Sequence, residues 1–183
     1  WSSDVCSSDL LAIRLETGGD ILFRQVRLGH RGVPFHILKF RTMTVAEDGA
    51  EVRQATAGDV RVTRVGGLLR RLSIDELPQL FNIIRGDMSL VGPRPHAVAH
   101  DRYYAGLIEN YEIRQHVKPG LTGWAQVNGL RGETSDPAQM CRRVEYDIWY
   151  AKHASIMLDN HKLVVDTHSE IYSMIKNHAD AIF

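Results

Sequence analysis

Hydrophobic and polar positions change their period several times along this chain, and each change marks an element. Residues 21–28 mix β-forming and charged side chains, Gly29-His30-Arg31-Gly32 supplies turn residues, and Phe35 to Phe40 returns as a second run of the same kind. That pattern predicts a β-hairpin. From Thr44 to Gly58 the chain is acidic and aperiodic, which reads as a surface loop or a short mobile helix. Leu77, Leu80, Phe81 and Ile84 then recur at helical spacing, so an amphipathic helix is expected with its apolar face in the core. Pro78 suits the first turn of that helix, where a missing N–H has no partner to lose. Asp75 and Glu76 are thereby expected at the helix N-terminus, and Ser73 with Glu76 matches a capping box.

Gly92-Pro93-Arg94-Pro95 interrupts regular structure, a helical stretch is expected from Val98 to Tyr111, and the glycines and prolines of Lys118 to Trp124 mark a second rigid loop. Beyond Pro137, Met140, Val144, Ile148 and Ala151 repeat at helical spacing, and Met157, Val164, Val165, Ile171, Tyr172 and Ile175 describe a last amphipathic helix. No linker divides these pieces. They predict one α+β domain, mostly helical with a small β-hairpin.

Composition narrows the function. At 183 residues, 44% of them hydrophobic, the chain can bury a real core. Lys+Arg and Asp+Glu balance at 22 each, which gives no basic footprint for nucleic acid. Cys6 and Cys141 are too few and too far apart for a disulfide framework or a metal motif, and point to a reducing compartment. No run of about 18 apolar residues is present, so membrane contact is expected to be peripheral. Trp1 to Leu10 forms an imperfect Ser-Ser-Asp repeat that reads as a cloning or assembly scar, leaving 11–183 as the domain.

An acidic pair at a helix start can be no more than a cap. Here Arg70 and Arg71 precede Asp75 and Glu76, Arg85 follows, and Arg94 sits in a Pro-Arg-Pro turn. A guanidinium matches phosphate oxygens bidentately, while a carboxylate either binds Mg²⁺ or attacks phosphorus. Neither a Walker loop nor G-x-G-x-x-G occurs, so the phosphoryl chemistry is not that of a nucleoside triphosphatase or dinucleotide enzyme. Lys39, Arg41, Arg61 and Arg64 are either phosphate contacts or solvent-facing hairpin charges, and Asp87 either supports an arginine or caps the loop at Gly86. His153, His161, His168 and His178 lack zinc-ligand spacing.

The order of these residues resembles the bacterial sugar transferases, the polyprenyl-phosphate glycosyl-1-phosphate transferases of exopolysaccharide, capsule and O-antigen assembly. The likeness runs from about Leu11 to Asp159. Its signatures are Lys39-Phe40-Arg41-Thr42-Met43, Asp59 to Gly66, Leu69 to Asn82, and Gly86 to Pro95. The resemblance implies transfer of a sugar 1-phosphate from a UDP-sugar to undecaprenyl phosphate, with Mg²⁺ and a covalent aspartyl intermediate. It implies Asp75 as nucleophile, Glu76 as its partner in holding metal and acceptor, and Arg70 and Arg94 as phosphate contacts. Lys118 to Gly129, Arg131 to Thr134 and Arg143 to Asp147 resemble the branch that uses UDP-glucose, with UDP-galactose left open. The implied setting is the cytoplasmic leaflet of the bacterial inner membrane, with a homodimer allowed. Only 11–15 resembles the exit of the family's re-entrant membrane helix, so the chain is expected to lack that N-terminal anchor. Asn160, His161, Asp166 and His168 make its last helix more polar than relatives imply. A non-catalytic assembly scaffold and a phosphosugar-binding module stand as alternatives.

Overall fold

A computed structural model of the chain describes residues 13–44, 56, 58–132, 136–155, 158 and 159. The first ten residues expected to be a scar, most of the acidic 44–58 stretch and the residues that set the period of the last expected helix lie outside these residues. The first element is a short helix, α1, over 13–17. The expected hairpin follows: β1 (Leu22–Leu28) runs antiparallel to β2 (Pro34–Phe40), with Leu22 opposite Phe40 and Leu28 opposite Pro34.

Then come α2 (Arg64–Arg71), a 3-10 turn (Ile74–Glu76), α3 (Gln79–Arg85), β3 (Ser89–Val91) and α4 (Val98–Ala105). A 3-10 segment (Tyr111–His116), β4 (Gly120–Thr122), α5 (Trp124–Val127) and α6 (Pro137–His153) complete the described order. The expected helix from Val98 stops at Ala105. The second rigid loop contains a strand, since β4 pairs in parallel with β3, Ser89 opposite Gly120 and Val91 opposite Thr122. Backbones approach closely there: a Cβ on Gly92 would lie 2.3 Å from the Lys118 carbonyl, and one on Gly120 would lie 2.1 Å from the Gly92 nitrogen.

Two small cores hold these layers. Phe35, Ile37 and Met88 are buried together with Ile83 against them, and Tyr111, Met140 and Val144 are buried with Tyr104, Ile108 and Ile148. The helix after Pro137 is therefore amphipathic as its spacing predicts. By contrast, α3 is inverted. Leu77, Leu80, Phe81 and Ile84 are exposed by 50%, 42%, 62% and 80%, whereas Gln79 and Asn82 are buried. The expectation that this apolar stripe enters the core is wrong, because the inward face carries polar groups with specific work to do.

Asn82 shows what that work is. Its Oδ1 accepts from the Leu38 N–H at 3.0 Å and its Nδ2 donates to the His36 carbonyl at 2.8 Å. Those two backbone groups lie on one edge of β2, so the carboxamide occupies the place of a third strand and closes that edge. Asp87 is also held here, its Oδ2 accepting from Asn82 Nδ2 at 3.2 Å, so its partner is this asparagine rather than an arginine. Asn82→Ala should cost about 2–4 kcal/mol, since it strips a buried edge of its partners. Denaturant unfolding checks this, and a loss under about 0.5 kcal/mol would contradict the edge-closing role.

Candidate active site

Strand alternation puts Lys39 on the same face of β2 as Phe35 and Ile37, which pack toward α3 and β3. Asn82 then fixes α3 against β2, and the turn before α3 meets the end of that strand. In it Asp75 and Glu76 are each only 8% exposed. The expected capping box is absent. Ser73 sits in the left-handed region at φ 56°, makes no side-chain cap bond, and Pro78 is the residue that opens α3. Proline's fixed φ ends the 3-10 turn and starts the helix two residues beyond the dyad. The Ser73 hydroxyl instead accepts from Arg131 Nη2 at 2.9 Å.

The two carboxylates meet different surroundings. Arg94 grips Glu76 through both terminal nitrogens, Nη1 to Oε2 at 3.2 Å and Nη2 to Oε1, and Lys39 Nζ donates to Oε1 at 2.8 Å. Burial alone would raise the Glu76 carboxyl, but Arg94 and then Lys39 outweigh it and hold it well below the usual carboxylate range. Burial raises Asp75 above its ordinary value, reinforced by the Glu76 charge, while Lys39, Arg70 and Arg94 pull the other way. Among the described residues no hydrogen bond engages the Asp75 carboxylate. Its lone pairs stay open.

Arg70 reaches this field from α2. Thr63 caps that helix by accepting from the Gly66 N–H at 2.9 Å. A Cβ on Gly66 would lie 2.2 Å from the Thr42 carbonyl, so only glycine lets α2 approach Thr42 this closely. Arg70 Nε then donates to Thr42 Oγ1 at 2.8 Å and its charge acts on Asp75. All four expected site residues, Asp75, Glu76, Arg70 and Arg94, thus fall in one electrostatic neighbourhood. Arg94 is engaged with Glu76 there.

Of Lys39, Arg41, Arg61 and Arg64, the structure brings Lys39 onto the dyad. Arg41 Nε donates to the Asp20 carbonyl at 2.7 Å and Arg61 pairs with Asp59 at 2.7 Å, while Arg64 is exposed. The signal for Lys39 was its phase with Phe35 and Ile37. Trp124 stacks on Trp149 with ring centres 4.6 Å apart and Gln126 donates to the Leu121 carbonyl at 3.4 Å, so both brace the second loop.

The donor set can be tested against a divalent ion. Among the described residues no three His, Cys, Asp or Glu side chains gather as a metal cage. Asp75, with open lone pairs, fits an ion that draws its other ligands from substrate phosphates and water, which is how Mg²⁺ is commonly held. Glu76 already spends both oxygens on cations, so its share in such a site is the weaker one.

An α+β domain that sets a buried Asp-Glu pair among arginine and lysine suits chemistry on phosphate anions. The family model for bacterial sugar transferases matches residues 3–174. A UDP-glucose:undecaprenyl-phosphate glucose-1-phosphate transferase from Caulobacter vibrioides is 58% identical over 149 residues, and one of the same name from Escherichia coli strain K12 is 53% identical over 149 residues. Each match covers 81% of this chain, with 56% of the first relative and 32% of the second. An undecaprenyl-phosphate glucose phosphotransferase from Komagataeibacter xylinus is 48% identical over 167 residues, which are 89% of this chain and 31% of that relative. The chain belongs to the bacterial sugar transferase family. It spans from about a third to somewhat over half the length of these relatives.

Lys39→Met should destabilise the fold by about 1–3 kcal/mol, because Glu76 keeps its charge with one partner fewer. Adding Glu76→Gln should return part of that loss. A double-mutant cycle in denaturant reads both, and strict additivity would mean that the pair does not interact in solution.

Proposed function

We propose that this domain transfers glucose 1-phosphate from UDP-glucose to undecaprenyl phosphate, opening exopolysaccharide assembly. The observation that carries the reading is the asymmetry of the dyad: Glu76 is neutralised by Arg94 and Lys39, and Asp75 is left with unengaged lone pairs. The names of the similar transferases supply donor and acceptor.

In the first step an Asp75 carboxylate oxygen attacks the phosphorus that bears the sugar. A phosphorus–oxygen bond forms, the bond to UMP breaks, and the leaving electron pair departs on the UMP phosphate. In the second step a phosphate oxygen of the lipid attacks the aspartyl-phosphosugar, and Asp75 leaves as carboxylate. Splitting the displacement in two lets one side chain serve both substrates in turn. Mg²⁺, bound by Asp75 with a lesser share from Glu76, would neutralise the pyrophosphate. Arg70 holds its guanidinium beside Asp75 and suits a donor phosphate oxygen. Arg94 keeps Glu76 ionised, and its exposed edge can share an anion.

The lipid acceptor requires the dyad to work at a membrane surface. Leu77, Leu80, Phe81 and Ile84 form an exposed apolar stripe immediately after Glu76, with the exposed Arg71 and Arg85 beside it in sequence. Such a stripe suits insertion into the headgroup and acyl boundary of an anionic leaflet. Among the described residues no helix is long and apolar enough to cross a membrane.

With radiolabelled UDP-glucose, undecaprenyl phosphate and Mg²⁺, the full-length protein in membranes should release UMP and form labelled lipid. Asp75→Asn should lower both by about a thousandfold or more. Omitting the lipid should leave label on the wild-type protein and none on the variant. Transfer undiminished in Asp75→Asn would remove the nucleophile assignment, and UDP-glucose binding without UMP release in wild type would favour a binding module instead. Replacing Phe81 and Ile84 together by Ser should weaken co-sedimentation with anionic vesicles at least about tenfold; unaltered binding would place the membrane contact elsewhere.

A further inference from the structure

Arg94 lies between two prolines, so its loop offers carbonyls with few N–H groups to anchor it. Three successive carbonyls are each held by a different element: Pro93 accepts from the Gly120 N–H at 3.0 Å, Arg94 from Arg114 Nη2 at 2.6 Å, and Pro95 from Arg27 Nη1 at 3.3 Å. The middle contact is the short one, and its donor is 4% exposed.

Arg114 comes from the 3-10 segment Tyr111–His116 and uses every branch of its guanidinium. Nε and Nη2 donate to Asp147 Oδ2 of α6 at 3.1 and 2.8 Å. Nη1 faces His96 Nδ1 at 3.1 Å, the Tyr111 hydroxyl at 3.2 Å and Asp101 Oδ1 at 3.4 Å. A buried ion pair of this kind is weak support for stability by itself, because apolar residues of similar volume often do as well. What apolar residues could not do is donate to the Arg94 carbonyl and so fix the backbone from which Arg94 reaches Glu76.

We propose that Arg114, anchored by Asp147, is a positioning residue for the transfer reaction: it holds the Arg94 backbone so that the Arg94 guanidinium stays on Glu76. The proposal rests on the function argued above. Arg114 touches neither Asp75 nor Glu76, so its influence on the chemistry runs through Arg94.

Three variants of the full-length protein test this: Arg114→Gln, Arg114→Lys and Arg94→Ala, with the Arg114→Gln/Arg94→Ala double variant. Arg114→Gln should lower kcat about 10- to 100-fold per folded molecule while KM for UDP-glucose stays within about threefold, since a misplaced guanidinium affects the step more than ground-state binding. Arg114→Lys keeps one donor for the Arg94 carbonyl and should recover at least part of kcat. In the Arg94→Ala background Arg114→Gln should add less than about twofold. Multiplicative losses in the double variant, or a kcat per folded molecule equal to wild type, would overturn the positioning role.

A second cycle separates this claim from the function itself, because it needs no turnover. Unfolding constants of the same variants should show coupling of about threefold or more between Arg114 and Arg94. Coupling in an inactive wild type would count against the transferase reading alone, and no coupling in an active one would count against Arg114 alone.

Discussion

The ion cluster on Glu76 is the constraint that the rest of the site depends on. A carboxylate buried to this degree is expensive unless its charge is matched and its lone pairs are bonded. Arg94 and Lys39 do both, and they arrive from opposite parts of the fold, a proline-flanked loop and a hairpin strand. Bringing them together requires β2 to lie against α3 and the 92–96 loop to lie against β4. The Asn82 carboxamide, the glycines at the β3–β4 contact and the inward phase of Lys39 all satisfy that one demand. Asp75 is the beneficiary: it sits in the positive field of the same cations without being bonded by any of them.

Inverting α3 follows from this arrangement. Its inward face must supply Asn82 to the β2 edge and leave room for the dyad, so Gln79 and Asn82 are its buried residues, Ile83 alone packs on the Phe35–Ile37–Met88 core, and the Leu80–Phe81–Ile84 stripe turns outward. In a water-exposed enzyme with a water-soluble substrate such a stripe would be a liability for aggregation. Beside a site whose proposed acceptor is a membrane lipid, it is consistent with the chemistry. Helical periodicity alone cannot choose between these outcomes, because it reports which residues share a face and not where that face points.

That limit explains what could be read in the chain. The hairpin was legible from alternation broken by Gly29 to Gly32, and α6 from its buried Met140 and Val144, because in both the side chains that set the period also fill the core. Asp75, Glu76, Arg70 and Arg94 were legible as a charge pattern around a turn and through family likeness. The capping box was misread because Ser73 adopts a left-handed conformation, a backbone choice set by tertiary contact and invisible in residue type. The β3–β4 pairing escaped because parallel strands this short have no period of their own, leaving the close approach of Gly92 and Gly120 as their only trace. Lys39 was visible yet ambiguous. Arg114 was invisible, since a basic residue in Tyr111-Glu112-Ile113-Arg114-Gln115-His116 looks like an exposed charge until Asp147 and the Arg94 carbonyl are found around it.

The dyad illustrates how adjacent residues of nearly the same chemistry come to differ. Both are buried, both feel the charges of Arg94 and Lys39, and burial raises the carboxyl of each. What divides them is direct bonding: Glu76 is held down by hydrogen-bonded cations, whereas the cations act on Asp75 only through space. Pairs of acids whose environments push them apart in this way are the usual mark of divided roles. A carboxylate already saturated with donors is a poor nucleophile, because attack must first break those bonds. One that is desolvated, unbonded and set among positive charges is better disposed, since it has less solvent to shed and its partner anion is already drawn in. The same clamp that occupies both oxygens of Glu76 leaves those of Asp75 unbonded, and a single rotation of Arg94 away from Glu76 would blur the distinction on which the proposed two-step transfer relies.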